Sequence, residues 1–103
     1  MKNKLRSYDD LLEEYLQNPK FAIKFLNQAL ADEDVDAFTM SLKDIIRIRG
    51  NITDLAKEAD VSRGTVYRII NGQGHAEIGT VLKLMHALGY DLTVKKRPNS
   101  LSL

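Results

Sequence analysis

Apolar positions recur three and four residues apart along most of this chain, the spacing that places them on one side of a helix. Tyr8, Leu11, Leu12, Tyr15 and Leu16 make the first such stripe, with Ser7 as its cap and Asp10 in its first turn. Asn18-Pro19 ends that helix and starts a second, which carries Ala22, Phe25, Leu26, Ala29 and Leu30. The acidic junction Asp32-Glu33-Asp34 opens a third helix with the stripe Val35, Phe38, Leu42, Ile45 and Ile46. Arg47 and Arg49 lie near its end, and Gly50 is its stop.

Ile52, Leu55, Ala56 and Ala59 predict a short fourth helix. Ser62 caps a fifth, with Val66, Ile69 and Ile70 inward and Asn71-Gly72 closing it. Gln73 to Ala76 reads as a loop. A sixth helix runs from about Glu77 to Leu88, with Ile78, Val81, Leu82, Met85 and Leu88 on one face and Gly89 at its end. The period then changes to two. Tyr90, Leu92 and Val94 alternate with Asp91, Thr93 and Lys95, which predicts a short strand over 90–97, ended by Lys96-Arg97-Pro98. Residues 99–103 are expected to fray.

The fold class expected is all-α, a helix-turn-helix bundle of about six helices with a short C-terminal strand. Its 103 residues suit one domain. Within it, 1–34 form an N-terminal helical extension, 35–89 the helix-turn-helix part, 90–97 the strand and 98–103 a tail. A lone strand cannot satisfy its own backbone, so pairing with the same strand of a second copy, giving a homodimer, is the expected remedy. The alternative is a tail lying along its own helices.

Composition narrows the function. The hydrophobic fraction of 44% can bury a core, and the absence of cysteine excludes disulfides and thiolate metal sites. No apolar run approaches the ~20 residues of a membrane span, so no membrane partner is expected and the cytosol is the default compartment. Charge is unevenly placed. Residues 1–36 hold five Lys/Arg against eight Asp/Glu, a net −3, whereas 37–103 hold ten against six, a net +4. Such asymmetry suits two faces with two partners, the basic one fitted to a polyanion.

Residues 52–71 carry the chemistry. Ala56 is small where two helices must cross, and Leu55, Val61, Val66 and Ile69 supply a shared apolar wedge. Left on the outer side of the second helix are Arg63, Thr65, Tyr67, Arg68 and Asn71. A helix fits the DNA major groove, where Arg63 and Arg68 can each donate two hydrogen bonds to guanine and Thr65 can touch a thymine methyl. Ser62 can present its hydroxyl or N–H to a phosphate, and Thr53 and Asn71 are placed to hold phosphates. Gly64 removes bulk beside the groove wall at a cost in helix propensity of roughly 1 kcal/mol. The competing reading is a plain αα-corner, which that Arg/Thr/Tyr/Arg/Asn side fits poorly.

Other constellations yield no chemistry. His75 and His86 lack partners at ligand spacing, so no metal is expected. Asp9, Asp10, Glu13 and Glu14 suit a solvated helix side rather than acid–base catalysis. Gly72 and Gly74 follow no strand and make no phosphate loop. Neither an enzyme nor a cofactor is expected.

The motifs NITDLA (51–56), VSRGTVYRIING (61–72) and TVLKLMHALG (80–89) resemble the phage-repressor (Xre/Cro) helix-turn-helix domain. The lead-in Tyr8-Asp9, Leu12, Pro19, Ala22, Phe25-Leu26, Ala29-Leu30, Asp36 and Phe38 resembles a narrower group, the addiction-module antidote proteins, HigA-like antitoxins of bacterial toxin–antitoxin pairs. The resemblance implies a cytoplasmic homodimer that binds a pseudo-palindromic operator in double-stranded DNA, represses its own operon and neutralises a small RelE/HigB-type, mRNA-cleaving toxin. It also implies Ser62–Asn71 as the recognition helix, with Arg63, Thr65 and Arg68 facing bases. The chain departs from the pattern twice. Asp60 occupies a turn position where Gly is common, and Ile52 one where a polar Gln is frequent. Two further readings are a phage-type regulator without a toxin, and a module that sequesters a protein through Ser7–Leu30 with little DNA binding.

Overall fold

The computed structural model describes Leu11, Glu14 and residues 17–98. Among these residues it has five helices: α1 (Pro19–Ala31), α2 (Val35–Arg49), α3 (Ile52–Ala59), α4 (Arg63–Ile70) and α5 (Ile78–Ala87). The helix expected to follow Ser7 lies outside the described residues except for Leu11 and Glu14, both in helical conformation. The expected fraying of 99–103 lies outside them altogether.

Short side chains set the helix starts. Asn18 accepts a bond from the Lys20 N–H (3.0 Å), with Pro19 at the first helical position. Asp34 caps α2 through the Ala37 N–H (3.0 Å). Between them Glu33 stands at φ 56°, and the N–H groups of Glu33 and Asp34 return to the carbonyls of Leu30 and Ala29, so the corner closes in three residues. Asn51 caps α3 through the Asp54 N–H (3.1 Å). Arg49 reaches across this second corner to the Gly50 carbonyl (3.2 Å) and to Glu58 (3.0 Å), tying the end of α2 to α3.

The core is apolar throughout, with no buried polar or charged residue among those described. Leu42 and Ile46 of α2, Leu55 of α3, Val66 of α4, and Leu84 and Met85 of α5 are its largest fully buried side chains. α1 packs on α2, α2 on α4, and α3 on both α4 and α5. No helix among the described residues is long and apolar enough to cross a membrane.

Two expectations are corrected. The stretch 90–97 contains no strand. The reason is local: α5 ends at Ala87 with Leu88 as its cap, Gly89 turns back at φ 94°, and the Tyr90 N–H bonds to the Met85 carbonyl (2.8 Å), so the segment starts as a helix-closing turn. No neighbouring strand is available in the described chain. Tyr90 and Leu92 rest against the core, whereas Val94 is 100% exposed. The second correction concerns which apolar residues lie inside. Leu30, Val35 and Ile78 are 48%, 54% and 71% exposed, while Leu84, absent from the expected stripe, is fully buried.

Candidate nucleic-acid interface

α3 and α4 are each eight residues long and joined by Asp60, Val61 and Ser62. The sharp change of direction comes from Asp60, at φ 59°, ψ 47° in the left-handed region, which an Asp tolerates better than most residues but less well than Gly. Its N–H bonds back to the Lys57 carbonyl (3.1 Å), and that of Val61 to Ala56 (3.0 Å). Replacing Asp60 by Gly is therefore expected to raise stability by about 1 kcal/mol. A thermal melt would record this as an increase of several degrees, and an unchanged or lower melting temperature would contradict the strain assigned to this turn.

Ser62 begins α4 in extended conformation, its Oγ accepting from the Thr65 N–H (3.1 Å) and lying 2.8 Å from Thr65 Oγ1. One of the two hydroxyls donates to the other, so a single O–H remains to meet a phosphate, and the Thr65 methyl is the part that can contact an apolar group. Ser62→Ala should cost about 1 kcal/mol of stability by removing the cap; urea unfolding would test it, and an unchanged midpoint would deny the cap its role. At the other end Gly72 (φ 68°) and Gln73 return their N–H groups to Ile69 (3.1 Å) and Arg68 (2.9 Å), stopping the helix sharply.

Ala56, Leu55, Val66 and Ile69 are buried at the junction of the two helices, with Val61 partly so. This wedge fixes one side of α4 inward. The opposite side carries Arg63, Tyr67, Arg68 and Asn71, all exposed, with Thr65 half-buried at its border. Thr53, exposed at the start of α3, accepts a long bond from Arg63 Nη1 (3.5 Å), which links the beginnings of both helices.

Two open hollows flank this side. One is lined by Thr53, Lys57, Asp60, Ser62 and Arg63. The other lies between Thr65 and Arg68 of α4, Gln73 and His75 of the following loop, and Glu77 and Thr80 at the start of α5. Of the residues singled out from sequence, Thr53, Ser62, Arg63, Thr65 and Arg68 therefore line these hollows. Tyr67 and Asn71 lie on the same side of α4 but outside both, Asn71 as the helix C-cap. Lys57 was missed, although it stands four residues after Thr53 on the same helix side; so were Gln73 and Thr80, which come alongside α4 only in three dimensions. Cationic Lys57, Arg63 and Arg68 share the surface with the carboxylates of Asp60 and Glu77, so it offers mixed donors and charge rather than a uniformly basic sheet.

The two histidines stay apart, His75 beside Asp36 (3.7 Å) and His86 beside Asp91 (3.6 Å), both pairs exposed. Among the described residues no three His, Asp or Glu side chains gather to hold a metal ion.

A protein-family model described as "Probable addiction module antidote protein" matches residues 4–96. A protein of Haemophilus influenzae (strain Rd), which carries the name "Uncharacterized protein", is 29% identical over 96 residues, spanning 93% of this chain and 96% of its own length. No solved structure matches the chain.

Proposed function

The chain belongs to the family of addiction-module antidote proteins, and we propose that it is an antitoxin that also binds double-stranded DNA and represses the operon encoding it. The observation that carries the DNA half is the two-sidedness of α4. Val66 and Ile69 are buried at 0% and 4% exposure, while Arg63, Arg68 and Asn71 face solvent, most of their side-chain donors uncommitted among the described residues. In this reading α3 and α4 form a helix-turn-helix of the phage-repressor (Xre/Cro) type, and α4 enters the major groove. Arg63 and Arg68 address base edges and Thr65 offers its methyl to thymine. Thr53, Ser62 and Asn71 hold backbone phosphates, and Tyr67 packs against the sugar–phosphate wall. Lys57, placed in the hollow between Thr53 and Arg63, joins the phosphate-holding set.

Two copies on a pseudo-palindrome would set their recognition helices about 34 Å apart. The antitoxin half rests on the family and implies a toxin partner, here a small RelE/HigB-like protein that cleaves mRNA. An RNA-cleaving protein needs a cationic surface, and the acidic first third of this chain complements it. No catalytic role or cofactor enters this reading, and the protein acts in the cytoplasm.

If a small open reading frame adjoins this gene, its co-expression with this chain, followed by purification through a tag on this chain, tests the partner. Retention of that neighbour is expected, and its absence under mild conditions would remove the antitoxin half. A gel shift with the DNA upstream of the gene tests the other half, with a retarded band expected that a scrambled duplex does not compete away.

A further inference from the structure

Four of the six glycines, Gly50, Gly72, Gly74 and Gly89, stand at positive φ, so the backbone alone accounts for them. Gly64 has no such reason. It is the second residue of α4, in ordinary helical conformation, and a Cβ built there would meet only Ser62 Oγ at 3.8 Å, an unstrained contact. The folded chain would thus accept alanine at this position, and alanine would favour the helix more. Nothing inside the protein repays the glycine.

Its place on the helix is informative. Gly64, Arg68 and Asn71 are spaced i, i+4, i+7, one stripe down the exposed side of α4, opposite buried Val66 and Ile69. The bare backbone therefore lies in the middle of the polar side, between the two arginines in sequence. A helix with its side chains is about 10–12 Å across, close to the ~12 Å width of the major groove, so the bulk of the side chain aimed at the groove floor sets how deep the helix sits. We propose that Gly64 is a specificity-determining residue: the point at which the α4 backbone comes closest to the duplex, its missing side chain letting Arg63 and Arg68 reach base edges. The inference rests on the DNA-binding reading above and adds to it the depth of docking.

Gly79 supplies an internal control. It too is the second residue of a helix, α5, with nothing within 4 Å of an added Cβ. It stands off the polar side, since the α5 wall of the hollow beside Arg68 is made by Glu77 and Thr80.

The test uses the full chain and its Gly64→Ala, Gly64→Met and Gly79→Ala variants, titrated by fluorescence anisotropy against the duplex upstream of the gene and a scrambled duplex over a range of salt. Both alanine variants should melt several degrees above the parent protein. Gly64→Ala should bind the specific duplex about tenfold more weakly, as when one good base contact is lost, and Gly64→Met more weakly still. The slope of affinity against salt should stay unchanged in both, because no charge has moved. Gly79→Ala should bind like the parent. Undiminished binding by Gly64→Met, or an equal loss in Gly79→Ala, overturns the assignment of Gly64 while leaving the DNA-binding reading in place. Failure of the parent protein to prefer the upstream duplex overturns both.

Discussion

Arg63→Ala and Arg68→Ala are each expected to weaken operator binding by about 1–3 kcal/mol, roughly five- to 150-fold, and to relax the preference for one base pair. Both guanidinium groups are at the surface, and among the described residues Arg63 has one long intramolecular bond, to Thr53 at 3.5 Å. Truncating either side chain should therefore leave the melting temperature nearly unaltered, which separates a binding defect from a folding one. The lysine variants sharpen the test. Lysine retains the charge but loses the planar pair of donors, so Arg68→Lys should lose specificity while keeping its contribution to the salt dependence if Arg68 reads a base. If it only neutralises phosphate, lysine should restore binding almost fully. Titration of each variant against the upstream duplex and single-base mutants of it would decide between these roles, and unchanged affinity in both alanine variants would remove α4 from the interface.

The largest stability loss is expected from Leu55→Ala. Leu55 has no exposed surface and belongs to α3, the helix that packs on both α4 and α5. The change creates a cavity without weakening the helix, since alanine is at least as good a helix former as leucine. The expected cost is about 2–5 kcal/mol, a large share of the ~5–15 kcal/mol that holds a typical domain together. Urea unfolding should show a much lower midpoint at a similar slope, and DNA binding should fail wherever the chain is partly unfolded. A loss below about 1 kcal/mol would mean that the α3–α4 corner can collapse around the gap, and that its angle is less firmly set than the buried wedge implies.

The helix boundaries were legible where a short polar side chain or a glycine marks them. Asn18, Asp34 and Ser62 cap helices, and Gly50, Gly72 and Gly89 follow helix ends, as their residue types suggest. α5 was read with its inward side rotated. Its apolar arc includes Ile78, Val81, Leu82, Leu84, Met85 and Leu88, too broad for periodicity to select a centre, and packing against α3 chose Leu84 and Met85 over Ile78 and Leu82. The alternation Tyr90, Leu92, Val94 suggests a strand because Tyr90 and Leu92, half-buried against helices, repeat with the period of a sheet, whereas Val94 continues the pattern in residue type alone and is fully exposed. A ladder also needs a neighbour, which the pattern of one segment does not report. The polar side of α4 was legible as the complement of its buried stripe. Lys57, Gln73 and Thr80 were not, because their nearness to Arg63 or Arg68 depends on how α3 and α5 are placed around α4.

An amide-resolved NMR titration of the protein with the duplex from upstream of its own gene bears most directly on α4. Saturable shifts concentrated at 62–71, with smaller ones at the beginnings of α3 and α5, are the result anticipated. Shifts confined to α1, or none at all with that duplex, would mean that α4 is not what meets DNA.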